Sequence, residues 1–581
     1  WEVVGGGDKG GIIVRTGVEV TSTQEATRLS TGALVRELEL AGERLHYEFL
    51  SGGGGPATGW VSTTLKDGKV LMARSSKAPP EEPPLPKFQG ATSRISRDTP
   101  SIEPISEELR ASMVPFDNSK MMEAYMNMGN NEPGLHYGMH FPHTPQQVEE
   151  WGASWLTTAF HAAGTLPKDN SVKSIVSVKA FPGGGAGMKV VLVVEYEKPS
   201  EDLHTDLFVK LPLDPSEKNR SFCVMLNMEP SEVIFNRFMI RCLPIRAPKY
   251  YFGDVNPKTT NWILISEKLP FADKSLRGQR LAPFELEPPV LKGMDWVLPD
   301  RVDKYYALWR TNAIMAAWGH SGKLGDLCKL YGKPNTERNV LFPVPEKRFD
   351  PFWKQTEDFI MNVATPCFPK DIADAKYMAQ LEKEIKEVTA NIHCFNDHLK
   401  AISKDFWGLI HANSHIDNSF FWVDEEGRTD AGLLDFGGLG LALFGPTLAS
   451  NMMASDAGVR AEHLEGLSHC FVQTLHEFGG PKISGSDLHF NVAVVDMKSV
   501  AGSMMTIESG GFGGLYEHKP KDQWKNVTGL NDPIFEVEDI ATMMVRTGLI
   551  SLVECIKTWK LANHYDKFCR WREKFGKTKK K

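Results

Sequence analysis

Leu409-Ile-His-Ala-Asn-Ser-His-Ile-Asp-Asn-Ser-Phe-Phe-Trp422, followed by Leu433-Leu-Asp-Phe-Gly-Gly438, is the most informative stretch of the 581-residue chain. An apolar strand signal runs into a polar loop holding His411, Asn413, Asp417 and Asn418. A second apolar run follows, and Asp435 comes directly after a third. Kinase-type phosphoryl transfer asks for a polar loop that places an acceptor hydroxyl. It also asks for an Asn and an Asp converging on Mg²⁺ beneath a polyphosphate.

Upstream segments fit the same layout in chain order. Thr205-Asp-Leu-Phe-Val-Lys-Leu-Pro212 reads as a strand carrying Lys210. Pro230-Ser-Glu-Val-Ile-Phe235 reads as a helix start, with proline suited to the first turn and Glu232 behind it. Trp262-Ile-Leu-Ile-Ser-Glu-Lys-Leu269 is an apolar strand ending in Ser266, Glu267, Lys268 and Leu269. Pro182-Gly-Gly-Gly-Ala-Gly-Met188 lies between two strand signals, and Gly183, Gly184 and Gly185 permit close backbone approach to phosphate.

Across roughly residues 150–450 these segments resemble the aminoglycoside phosphotransferase, choline kinase and ecdysteroid kinase-like group. The loop of that group reads His-Gly-Asp-x-x-x-x-Asn, with a following Asp-Phe. The resemblance implies a bilobal α+β fold of the protein-kinase type, with ATP and Mg²⁺ as cofactors and a small-molecule alcohol as acceptor. It implies that Lys210 binds phosphate and pairs with Glu232, that amides around Ser266–Leu269 meet adenine, and that Asn418 and Asp435 hold the metal. His411 takes the place of the loop histidine, and residues 305–320 resemble the helix before the acceptor site.

One departure outweighs these agreements. The family's catalytic Asp falls on Asn413, which has the shape of Asp but cannot accept a proton. General-base help is typically worth roughly 10²–10⁴-fold. Asp417 is the nearest carboxylate in sequence, and in the family an Asp there accompanies an intact base, so it reads as loop-stabilising. A second departure is Gly445-Pro-Thr-Leu-Ala449, where related sequences often carry Asp. The expectation is therefore a kinase-like protein with impaired catalysis, acting as a binding or structural subunit of a larger assembly. The alternative is an active ATP- and Mg²⁺-dependent O-phosphotransferase.

Other motifs carry less. His411 and His415 lack the glutamate and third ligand of a zinc protease. Gly576-Lys-Thr578 is not a phosphate loop, because Trp571 stands where that motif needs glycine. Asn219 and Asn526 head glycosylation-type triplets, which the cysteine pattern gives no secretory setting.

Composition sets outer bounds. Hydrophobic residues at 41% and charged residues at 24% are globular values. The net charge of −7 gives no support for backbone-driven nucleic-acid binding. No apolar run reaches the length of a bilayer span, so any membrane association is peripheral. Eight cysteines without a CxxC pair read as reduced thiols of an intracellular or organelle-interior protein. The chain starts at Trp1, which is compatible with a removed targeting segment.

Four regions follow. Residues 1–76 alternate short strand signals (11–15, 33–40, 44–50, 59–65 and 69–74) with glycine turns. Gly59-Trp60-Val61 resembles the closing strand of bacterial-type SH3-like domains, which implies a small β barrel that binds protein partners. Residues 77–145 are a linker, with polyproline geometry over 78–86 and then scattered methionines. Its Pro-x-x-Pro spacing and methionines mark it as a second partner-contacting segment. Residues 146–270 form the N-lobe, with strands at 172–179, 189–196, 206–210 and 262–267. Residues 271–581 form the helical C-lobe, and helices are expected at 230–238, 302–318, 373–400 and 540–568.

Overall fold

A computed structural model describes residues 1–25, 27–51, 55–56, 58–77, 123, 126–181, 187–214, 216–217, 220, 223–224, 228–331, 346–504, 507, 514–536 and 540–576. Gly183, Gly184 and Gly185, and residues 78–122 of the expected 77–145 linker, lie outside these residues. The chain divides into two compact units, Trp1–Lys87 and Phe88–Lys581.

In the first unit, strands β1 (Glu2–Val3), β2 (Leu34–Ala41), β3 (Arg44–Ser51), β4 (Thr58–Ser62) and β5 (Met72–Ala73) form one antiparallel sheet in the order β4-β3-β2-β1-β5. Val3, Val14, Val35, Leu45, Tyr47 and Val61 make its core. No closed barrel is found, since among the described residues no ladder joins the edge strands. Their ends are linked by the isolated bridge Thr64–Val70, by the Leu65 amide to Lys69 O, and by the amides of Leu71 and Met72 to Thr63 O. The expected strand at 11–15 reduces to bridges at Ile12 and Arg15. Its flanking Gly10 and Gly11 have positive φ, which turns the chain out of extended geometry.

The second unit opens with helix Pro145–Ala163, capped by Thr144, which accepts from the Gln147 amide, and closed by Gly164 at φ 70°. A five-stranded antiparallel sheet follows: β6 (Val172–Phe181), β7 (Met188–Tyr196), β8 (Asp206–Leu211), β9 (Tyr250–Val255) and β10 (Trp262–Glu267), ordered β6-β7-β8-β10-β9. Alternation sorts its faces. Val190, Leu192, Val194, Leu207, Val209 and Leu211 bury against Val148, Leu156 and Phe160 of the helix. The other face presents Lys189, Val191, Phe208 and Lys210. The local sequence pattern does not mark β9, since Gly253 and Asp254 interrupt its apolar run. Asp254 earns its buried position by accepting the amides of His136 and Tyr137.

Helix Met228–Ile234 connects β8 to β9, and helix Arg301–His320, buried along most of its length, follows β10. Two short ladders follow: β11 (Trp407–His411) with β14 (Leu439–Leu443), and β12 (Ser419–Val423) with β13 (Thr429–Leu433). Gly432 faces Phe420 so closely that an added Cβ would lie 2.1 Å from the ring. Two apolar clusters hold this region. One joins Trp309 and Ile314 to Leu409, Leu433 and Phe471. The other joins Phe359 and Leu381 to Trp524, Leu552 and Trp559.

Both long helices expected here are interrupted. The 373–400 segment splits into Ala375–Ala390 and Ile392–Ala401, with Asn391 at the junction. The 540–568 segment splits into Ile540–Leu561 and His564–Gly576. Asn563 at φ 50° makes that break, a conformation that asparagine tolerates better than most residues. Among the described residues no helix is long and apolar enough to cross a membrane. All eight cysteines are free thiols.

Candidate active site

The two short ladders lay the 412–418 loop beside the 434–438 turn. Ala412 N–H donates to Gly438 O at 3.0 Å and Leu434 N–H to Asn418 O at 3.1 Å, so each segment holds the other. Asp435 begins the turn at φ 64°, ψ 58°, a left-handed geometry uncommon for a residue with a Cβ. Packing enforces it. Phe436 stacks on Phe235 at 3.7 Å between ring centroids and also touches the His411 ring.

Three charges meet at this turn. Lys210 Nζ on β8 lies 2.6 Å from Glu232 Oε1 and 2.8 Å from Asp435 Oδ1. Lys210 and Glu232 are almost wholly buried, whereas Asp435 keeps about a quarter of its side chain open. Burial works against the Lys210 charge, but Asp435 and then Glu232 hold its ammonium above the usual range. Burial also opposes the Asp435 charge, and Lys210 overrides it and holds the carboxyl well below the ordinary value. In Glu232 burial wins and pushes the carboxyl up, because one lysine is shared between two acids.

The loop histidine is fixed in one tautomer. Asn413 N–H donates to His411 Nδ1 at 3.1 Å, so His411 Nε2 carries the proton and donates to Leu434 O at 3.0 Å. Burial lowers its pKa. Both ring nitrogens are thereby used, and His411 orients the loop instead of binding metal. His415 is also buried, with its pKa pushed down to about 4, and its Nδ1 donates to Asn451 O. Ser414 is clamped by Asn312 and Asn451 side chains at 2.9 and 2.7 Å, and it donates to His411 O. This rigid base sets the position of Asn413, whose half-exposed carboxamide makes no hydrogen bond among the described residues.

Asn418 donates through Nδ2 to Asn413 O at 2.9 Å, which leaves its Oδ1 as a metal-type oxygen. Asn418 and Asp435 thus supply two hard oxygen donors. Among the described residues no group of three or more His, Cys, Asp or Glu is arranged around a metal position. The donor set fits Mg²⁺ only if a phosphate completes the shell. Asp417 is committed elsewhere: Lys292 Nζ lies 2.8 Å from its Oδ2. Behind it Asp295 is fully buried and accepts from Tyr305 OH at 2.5 Å, with its carboxyl pushed up to about 7 by desolvation.

At the strand end expected to meet adenine, Glu267 N–H donates to Lys249 O and Lys268 N–H to Asp206 O. Those two amides are spent inside the sheet, so a base could not use them as donors. Ser266 is buried, and Leu269 O already accepts from Phe271 N–H. Sequence reasoning missed Lys189, Val191, Phe208 and Lys292. The first three were findable, since period-two alternation on β7 and β8 places them on one face with Lys210. Lys292 lies in irregular chain with no local signal.

No family model and no curated protein matches this chain. Among solved structures it is similar to the GDP complex of aminoglycoside 2'-phosphotransferase-IIIa, with 13% identity and a TM-score of 0.31 over 61% of this chain and 90% of that one. It is also similar to a microcompartment-associated aminopropanol kinase, with 10% identity and a TM-score of 0.32 over 71% and 99%. A third is aminoglycoside-3'-phosphotransferase of type VIII, with 15% identity and a TM-score of 0.24 over 59% and 98%.

Proposed function

We propose that the second unit is a kinase-like protein of the aminoglycoside phosphotransferase and choline kinase type. Its cleft binds a nucleoside triphosphate with Mg²⁺, while its transfer chemistry is impaired. The observation that carries this reading is the ion cluster of Lys210, Glu232 and Asp435, built from positions 22 and 225 residues apart around a left-handed aspartate. Buried charge of this kind is costly to assemble and tends to mark functional sites. Asn418 and Asp435 are the residues that would hold Mg²⁺, which supplies charge neutralisation at the phosphates. Lys210 is the residue that would bind phosphate.

The acceptor side lacks its proton acceptor. Asn413 Oδ1 can accept a hydrogen bond from an alcohol but cannot remove its proton. Asp417 carries the nearest loop carboxylate, and Lys292 holds it in an ion pair. The protein then acts by binding, as a subunit of a larger assembly. Residues 1–76, as an SH3-like module, and the 77–145 segment are the partner-contacting parts; residues 146–270 and 271–581 are the two lobes. The strand order β4-β3-β2-β1-β5 and the stacking of His46 on Trp60 in the Gly59-Trp60-Val61 run support the first assignment.

The test is an ATP titration with and without Mg²⁺, followed by a turnover screen over choline-like and aminoglycoside-like alcohols. Saturable binding that strengthens with Mg²⁺, with little or no transfer, is expected. No binding at millimolar ATP and Mg²⁺ would overturn the nucleotide reading. Robust transfer by the unmodified chain would overturn the impairment.

A further inference from the structure

Lys189 and Lys210 are direct cross-strand partners on β7 and β8. Directly opposed residues have Cβ atoms roughly 4.5–5.5 Å apart on the same face of a sheet, and like charges placed so repel. The residues beside Lys189 on β7 alternate strictly, with Val190, Leu192 and Val194 in the core, so Lys189 shares the cleft face with Lys210. Two residues before Lys189 stands Gly187, whose φ of 79° and tight approach to Leu211 O exclude a side chain. β7 begins directly after that glycine, with Lys189 as its second residue. Its ammonium is lowered by burial and then by the Lys210 charge, while Asp435 and Glu232 support it. The β7–β8 register places Lys189 directly opposite the lysine that bonds Glu232 and Asp435.

We infer that Lys189 and Lys210 form a two-lysine clamp that selects a polyphosphate ligand over an uncharged or singly charged one. The inference rests on the nucleotide reading above and names the group in that cleft that distinguishes phosphate number. In the free protein Glu232 and Asp435 offset the two ammonium groups. A polyphosphate draws on both lysines at once, and Asp435 is the carboxylate that would hold Mg²⁺ beside it. A lone phosphate engages fewer of these contacts, and a bare nucleoside offers neither ammonium an anion.

Isothermal titration of the full chain and of Lys189→Gln with ATP plus Mg²⁺, inorganic tripolyphosphate and adenosine tests the clamp. Loss of one charge-assisted contact predicts roughly 10- to 100-fold weaker ATP and tripolyphosphate binding in K189Q. Adenosine affinity should be unchanged and Lys189→Arg should retain most of the binding. If K189Q loses its cooperative thermal transition, Lys189→Met carries the same comparison. Equal losses for adenosine and ATP would overturn the clamp in favour of a structural role. ATP binding unaffected by K189Q would overturn only the assignment of Lys189. Absence of ATP binding by the unmodified chain would overturn the nucleotide reading and this inference with it.

Discussion

Replacing Lys210 by Met removes the only cation bonded to both Glu232 and Asp435 among the described residues, while keeping the volume of the side chain. Two carboxylates are then left facing each other, one of them almost wholly buried. Breaking a buried ion pair from one side costs about 3–5 kcal/mol, because the remaining charge is neither solvated nor paired. Glu232 can limit the loss by keeping a proton. Its carboxyl is already pushed up in the intact protein, and losing Lys210 pushes it further. Between its unfolded and folded pKa values the folded variant then binds a proton that the unfolded chain does not, so the variant loses stability as pH rises.

The deficit of Lys210→Met should accordingly be smaller near pH 5 and approach the full figure near pH 8. Guanidinium unfolding followed by tryptophan fluorescence at both pH values measures it, with buried Trp262 and Trp309 as reporters. The double variant Lys210→Met, Glu232→Leu should recover much of the loss, since an apolar pair of similar volume often replaces a buried ion pair at little cost. A single variant that loses less than about 1 kcal/mol at both pH values would refute the argument. So would a double variant less stable than the single one.

Asn413→Asp should raise phosphotransfer to a suitable alcohol by a factor on the order of 10²–10⁴ while barely changing ATP affinity, checked by coupled turnover and by titration. Loss of any basal turnover on Asp417→Asn would show instead that the neighbouring carboxylate serves as base despite Lys292. Asp295 has a folded pKa of about 7, above its unfolded value, so it makes stability fall as pH rises from about 4 to 7. Asp295→Asn should flatten that fall in denaturant unfolding across the range, with Tyr305 still donating to the amide oxygen. Gly432→Ala should destabilise by about 1–3 kcal/mol through its clash with Phe420, read from the same unfolding curves.

Some features were legible in local pattern. Strand signals around Lys210 and Ser266, the apolar runs flanking the His411–Asn418 loop, and the proline at the start of the Glu232 helix all act over a few residues. They recur at their expected places because alternation and capping are local effects. The place of Asn413 in the loop was readable for the same reason, at a fixed spacing from His411 and Asn418. What periodicity reports is the face a side chain occupies, not the face it meets. That Lys189 opposes Lys210 depends on the β7–β8 register, and that Lys292 reaches Asp417 depends on a chain return of 125 residues. The clamping of Ser414 by Asn312 and Asn451 and the stacking of Phe235 on Phe436 are likewise contacts between distant segments. Sequence alone determined the types and order of the groups at this site. Tertiary structure decided their charge state and mutual reach, because burial and long-range pairing set desolvation and Coulomb energies that no local window contains.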